Sequence, residues 1–147
     1  MLDHIPQFYI SSRLLATVRD YAQRDYPHEA CGFLLGTLRD NAIVVLQVWP
    51  AANTAALEKR TRAYAIASHQ WIRTEQQAAA QGLAIVGIYH SHPDQSPEIS
   101  KADIVALWPQ LVYLIVASGT QVRQPLTVWM LDAPTNTARP CALHLVE

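Results

Sequence analysis

Two histidines, His90 and His92, open the stretch HSHPDQSPEISKAD, and Ser100 and Asp103 follow them at short, fixed spacing. In an extended strand, side chains at i and i+2 leave on the same side with Cα atoms about 6–7 Å apart, so both imidazoles can face one ion. Zinc suits imidazole nitrogen and carboxylate oxygen, and a catalytic zinc usually takes three protein ligands and one water. Asp103 is the candidate third ligand, because the intervening loop can fold a helix N-terminus back onto the strand end. Ser100 sits one helical turn before Asp103, so its hydroxyl points toward the same place. Hydrolysis also needs a base. Glu29, heading the apolar run in PHEACGFLLG, is placed to take a proton from a water activated by the metal.

Each feature alone has a plainer reading. Ser100-Lys-Ala-Asp103 is also an ordinary helix N-terminus, with Ser as cap and an acidic residue three later. A single histidine is most often a surface side chain, and a lone Glu29 reads as a solvated carboxylate. Ser91, between the two histidines, points to the opposite face and reads as structural. Cys31 shares the face of Glu29; a buried core thiol is a simpler reading than a nucleophile. His28 reads as a surface side chain rather than a tuner of Glu29 or a carboxylate binder. His4, His69 and His144 have no spaced partners and read as ordinary, and Trp49, Trp71, Trp108 and Trp129 read as core. Asn53, in an irregular loop, is a candidate for holding a substrate tail.

The elements that must position these groups follow from patterning. Ser11 or Ser12 caps a helix carrying Leu14, Leu15, Val18, Tyr21 and Ala22 at helical period, and Pro27 ends it. Residues 30–38 and 42–49 are apolar strands joined by the hairpin signal Arg39-Asp40-Asn41. Residues 50–62 are polar and irregular. Ser68 is expected to cap a second helix, with Gly82 at its C-terminal stop. Leu83 to Tyr89 reads as a strand buried on both faces and runs directly into the two histidines. SKADIVALW reads as a helix, and LVYLIVA, LTVWMLD and CALHLVE as further strands. Strands with two or three helices and no repeat or linker predict one α/β (α+β) domain over residues 1–147, with a central mixed sheet flanked by helices.

Composition narrows the function classes. Eleven Lys and Arg against twelve Asp and Glu leave a net charge of −1, which does not suit a protein living on phosphate contacts, so no nucleic-acid partner is expected. The longest clean apolar run, Leu111 to Ala117, is seven residues, far short of the roughly 20 that span a bilayer, so no membrane role is expected. The N-terminus does not read as a signal peptide. Two cysteines, Cys31 and Cys141, make neither a disulfide framework nor a CxxC pair, so a reduced, cytoplasmic setting is the expectation. Abundant apolar strands leave a homodimer open.

Glu29, then His-Ser-His at 90–92, seven residues, Ser100, two residues and Asp103 together resemble the JAMM (MPN+) metalloprotease signature, E…H-[ST]-H-x7-S-x2-D, at every position. YPHEACGFLLG is similar to the P-x-E-x-C-G-x-L-x-G opening of its small bacterial and archaeal members. The resemblance runs from about Asp25 to Val116 and weakens in the C-terminal strands. It implies a fold of the cytidine-deaminase-like kind, one catalytic Zn2+ on His90, His92 and Asp103, Glu29 as general acid/base, and Ser100 as donor to the oxyanion. It also implies cleavage after the C-terminal Gly-Gly of a ubiquitin-like protein. Short bacterial single-domain members are similar to enzymes that act on ubiquitin-like sulfur carrier proteins, so the resemblance implies such a carrier as partner and removal of a cysteine or a short extension.

Other functions compete less well. A non-catalytic MPN scaffold typically lacks one of the Glu, His, His and Asp positions, and all are present here. A deubiquitinase-like isopeptidase usually carries extra insertions that so short a chain has little room for. A zinc deaminase wants H-x-E and P-C-x-x-C; His92 is followed by Pro93 and Asp94 and there is no Cys-x-x-Cys.

Overall fold

The computed structural model describes residues 6–120 and 125–147. The chain runs β1 (Gln7–Ser11), α1 (Ser12–Asp25), β2 (Cys31–Arg39), β3 (Ala42–Ala51), a 3-10 turn (Leu57–Lys59), α2 (Ser68–Ala80), β4 (Ala84–Pro93), α3 (Lys101–Val105), β5 (Val112–Ser118), β6 (Leu126–Asp132), β7 (Thr137–Pro140) and β8 (Leu143–Val146). All eight strands join one sheet in the order β7-β6-β5-β4-β2-β3-β1-β8. It is mixed, as expected: β4 pairs antiparallel with β2 and parallel with β5, and β1 pairs parallel with β3 and β8.

Local chemistry explains most boundaries. Ser11 Oγ accepts from the Leu14 N–H at 3.0 Å and starts α1, which buries Leu15, Val18 and Ala22 against the sheet. The β2–β3 hairpin turns on Asp40 and Asn41, with φ of 49° and 65°, the backbone a two-residue turn between twisted strands requires. Helix α2 ends at Gly82, φ 73°, where the Leu83 N–H donates to the Ala78 carbonyl at 2.9 Å and the Gly82 N–H to Ala79 at 3.0 Å, a Schellman closure.

Three expectations are corrected. Ser68 does not cap α2. Ala67 does, without a side-chain bond, and its carbonyl accepts from the Gln70 and Trp71 N–H groups, so Ser68 already lies inside the helix. The helix after Ser100 stops at Val105, because Pro109 disfavours helix just before it and Tyr113 Oη accepts the Trp108 N–H at 2.8 Å. That early stop leaves Trp108 65% exposed, not in the core. The other three tryptophans are half-buried, with Trp71 packed edge-on against Phe33 at 5.2 Å. His4 lies outside the described residues.

The apolar core is split by the sheet. On the α1 side lie Phe8, Leu34, Tyr89, Leu114 and Val116; on the α2 side lie Phe33, Leu35, Ala78, Ile88 and Tyr113. Strand β4 is buried from Val86 to Pro93. Its alternation sends Tyr89 and Ser91 toward α1, and Ile88, His90 and His92 toward α2. Among the described residues no helix is long and apolar enough to cross a membrane.

Candidate active site

Strand β4 carries its apolar run beyond Tyr89 and includes both histidines. His90 is paired across to Cys31 of β2 and Ile115 of β5, so it stands in the middle of the sheet and is 1% exposed. Glu29 precedes Cys31 by two residues and is delivered to the same end of the sheet. Ser91 couples the two segments on the opposite face: its Oγ accepts from the Ala30 N–H at 2.8 Å, and its N–H donates to the Ala30 carbonyl at 3.1 Å. Its structural reading holds.

The loop after β4 is folded back by two anchors. The Asp94 N–H donates to the Ser118 carbonyl at 2.8 Å, and Thr127 Oγ1 donates to the Pro97 carbonyl. This returns the start of α3 to the histidines. Ser100 and Asp103 form a reciprocal capping box: the Asp103 N–H donates to Ser100 Oγ at 3.0 Å, and the Ser100 N–H to Asp103 Oδ2 at 3.1 Å. Ser100 Oγ accepts there, so its own proton is still free to be donated.

His90 Nε2 faces Asp103 Oδ1 at 3.3 Å, His92 Nε2 faces Asp103 Oδ2 at 3.1 Å, and the two Nε2 atoms are 3.3 Å apart. Donors at about 2.0–2.1 Å around a tetrahedral zinc stand about 3.3–3.4 Å from one another. The two Nε2 atoms stand at that spacing, each has a different Asp103 oxygen at a similar distance, and one ligand atom from each of the three residues lies within 4.8 Å of the others. His92 Nδ1 is bonded to the Ser96 carbonyl at 2.9 Å, an acceptor, so Nδ1 carries a proton; in the neutral ring this leaves the Nε2 lone pair to face the cluster.

The electrostatics suit a ligand set. Burial lowers the His90 pKa and holds that ring neutral. Burial also acts against charge on His92, but the Asp103 carboxylate and the Ser96 carbonyl outweigh it and raise its pKa. Burial works against charge on Asp103 too, yet its bonds to His90 and His92 keep it well below the usual carboxylate range. The group is a neutral imidazole, a second imidazole and a firm anion, a set that fits zinc.

Glu29 is only 5% exposed, and its Oε1 has no hydrogen-bond partner among the described residues. Burial raises its pKa from 4.5 to about 7; His92 opposes the rise and the Asp103 charge adds to it. A carboxylate poised there is matched to proton transfer near neutral pH. Its backbone is fixed from both sides, with the N–H donating to the Arg60 carbonyl at 2.7 Å and the carbonyl accepting from Asn53 Nδ2 at 3.1 Å.

Cys31 is buried, and burial pushes its thiol up to about 12, so it is a neutral core residue at physiological pH. Asn53 is not free for a substrate. Its Nδ2 donates to the Glu29 and Ala63 carbonyls, and its Oδ1 accepts from the Ala55 and Ala65 N–H groups. His28 is half-buried beside Glu29 in an open cleft with Arg24 and Arg60. His69 is exposed. His144 stacks on Tyr9 at 4.8 Å and bonds Gln7 at 2.6 Å, joining β8 to β1. One neighbour of the site went unread in the sequence: Tyr64 stacks on His90 with ring centroids 4.5 Å apart and planes 25° apart. A lone tyrosine in a polar loop carries no periodic signal.

Residues 11–132 match the family of prokaryotic homologs of the JAB domain. The chain belongs to this family. Over 103 residues it is 37% identical to a desampylase from Haloferax volcanii, an alignment covering 69% of this chain and 71% of the relative. In fold, this JAB-domain chain is similar to a protein from Desulfitobacterium hafniense, with a TM-score of 0.84 at 20% identity over 96% of this chain and 94% of that one. It is also similar to a protein from Salinibacter ruber, with a TM-score of 0.72 at 31% identity over 95% and 92%.

Proposed function

We propose that this chain is a zinc-dependent peptidase that hydrolyses the bond after the C-terminal Gly-Gly of a ubiquitin-like sulfur carrier protein, releasing a cysteine or a short extension. Kinship with a desampylase supports the coarser reading, a JAB-family isopeptidase acting on a ubiquitin-like modifier. The observation that supports its zinc-peptidase part is the cluster of His90, His92 and Asp103 donors within 4.8 Å of one another, beside a buried Glu29 Oε1 with no hydrogen-bond partner among the described residues.

His90, His92 and Asp103 would hold the metal, which when bound supplies Lewis acidity toward water and carbonyl. Glu29, ionised, accepts the proton of the attacking water. The water oxygen bonds to the carbonyl carbon of the last glycine while Ser100 donates its hydroxyl proton in a hydrogen bond to the carbonyl oxygen as charge grows there. Glu29 then returns its proton to the leaving nitrogen as the C–N bond breaks, and acid and amine are released. A two-glycine tail has no side chains to obstruct a narrow approach and can be held by main-chain hydrogen bonds. The two free thiols, Cys31 and Cys141, suit a reducing, cytoplasmic setting.

The test is an adduct in which cysteine is joined to the Gly-Gly end of a carrier protein, followed by intact mass. Zinc-loaded protein releases the cysteine and Glu29→Ala does not. An adduct left whole by both proteins removes this reading.

A further inference from the structure

His92 and His90 are held in different ways. His92 has a hydrogen-bonded anchor in the Ser96 carbonyl at 2.9 Å. His90 Nδ1 has no hydrogen-bond partner among the described residues, although a metal-binding histidine is normally oriented by a bond from its second nitrogen. What lies against the His90 ring is the Tyr64 ring, near-parallel at 4.5 Å. Tyr64 is itself fixed at both adjoining peptides by one side chain. Asn53 Nδ2 donates to the Ala63 carbonyl at 3.0 Å, and Asn53 Oδ1 accepts from the Ala65 N–H at 3.2 Å. The Thr54 N–H adds a bond to the Ala65 carbonyl at 2.8 Å. The same Asn53 amide also donates to the Glu29 carbonyl at 3.1 Å.

We propose that Tyr64 and Asn53 are positioning residues: the Tyr64 ring takes the place of the missing hydrogen bond in setting the plane of His90, and Asn53 locks that ring and the backbone of Glu29 to one another. An aromatic face restricts tilt of a buried imidazole without needing a donor or acceptor, and offset stacking is favourable in itself. One amide thus sets the distance between the base and a metal ligand that lie far apart in sequence. The tyrosine hydroxyl is not part of this arrangement; the ring is.

This inference rests on the metal-centre reading, and its test separates the two. Zinc affinity is measured by chelator competition on wild type, Tyr64→Phe, Tyr64→Leu and Asn53→Ala, with the d–d absorption of each cobalt-substituted protein recorded alongside. Tyr64→Phe keeps wild-type affinity and the wild-type cobalt spectrum. Tyr64→Leu binds zinc about tenfold more weakly, in the range expected on losing an orienting neighbour, with altered cobalt bands. Asn53→Ala, which leaves the ring in place, weakens zinc binding in the same direction, and it decides the matter if Tyr64→Leu does not fold. Wild type that fails to bind zinc removes the metal-centre reading. Wild type that binds, with Tyr64→Leu or Asn53→Ala equal to it in affinity and spectrum, overturns the positioning role alone. Tyr64→Phe as weak as Tyr64→Leu overturns the stacking argument by assigning the effect to the hydroxyl.

Discussion

Replacing Glu29 by glutamine should stabilise the metal-free protein, by an amount that depends on pH. The folded protein holds the Glu29 carboxyl at a pKa of about 7 against 4.5 for the free side chain, so folding favours its neutral form. Below about pH 4.5 both folded and unfolded chains carry the proton, and the residue adds no pH-dependent term. Between 4.5 and 7 the unfolded chain has lost the proton while the folded chain keeps it, so stability falls as pH rises. Above about 7 both are ionised and the loss is complete. A displacement of this size corresponds to about 3 kcal/mol, a large share of the roughly 5–15 kcal/mol of a typical domain. Glutamine, isosteric and never charged, escapes that loss. Urea unfolding of both proteins in chelator, at a series of pH values from 4 to 8, measures the difference while contributions from other titrating groups largely cancel. The stability advantage of Glu29→Gln should be small at pH 4 and grow by about 3 kcal/mol by pH 8, with unchanged denaturant slope. A gap that stays flat, or shrinks toward alkaline pH, would refute the assignment of Glu29 as a desolvated base.

Other expectations follow from the same geometry. The acidic limb of kcat/KM should reflect ionisation of Glu29, with activity rising with pH and a midpoint at or below about 7, since a bound cation nearby lowers the carboxyl pKa; a pH–rate series checks it. Ser100→Ala removes the acceptor for the Asp103 N–H, which should cost about 1 kcal/mol in unfolding experiments. It should also lower kcat by roughly 10²–10³ as an oxyanion donor is lost. His90→Ala and His92→Ala should each abolish stoichiometric zinc by metal analysis and abolish turnover. Cys31→Ala should leave kcat unchanged, and the native thiol should resist alkylation, because it is buried and held un-ionised.

What the sequence could and could not convey divides along physical lines. The clustering of His90, His92 and Asp103 was legible because strand periodicity and a helix-cap spacing each place side chains locally, and strand β4 leads directly into the histidines. Glu29, far upstream, was singled out only by its place at the head of an apolar run and by the family signature. The hairpin of β2 and β3 was legible from Asp40-Asn41 for the same reason. Strands β1 and β7 left no clear trace, because β1 is defined by parallel partners at Ala42 and Leu143 and β7 is four residues long. Trp108 looked like core by residue type; its exposure follows from the early end of α3. Asn53 looked available, but its amide is consumed by a loop whose closure no local pattern reveals. Tyr64 reaches His90 only through that closure.

The central claim is tested most directly by restoring zinc. Protein stripped with chelator is incubated with a carrier–cysteine adduct, and intact mass is followed before and after one equivalent of zinc is added. The adduct should remain whole until zinc is present, then lose its cysteine after Gly-Gly, and remain whole throughout with Glu29→Gln. Cleavage that proceeds equally under chelator, or an adduct that survives zinc with wild-type protein, would contradict the assignment of a zinc-dependent Gly-Gly peptidase.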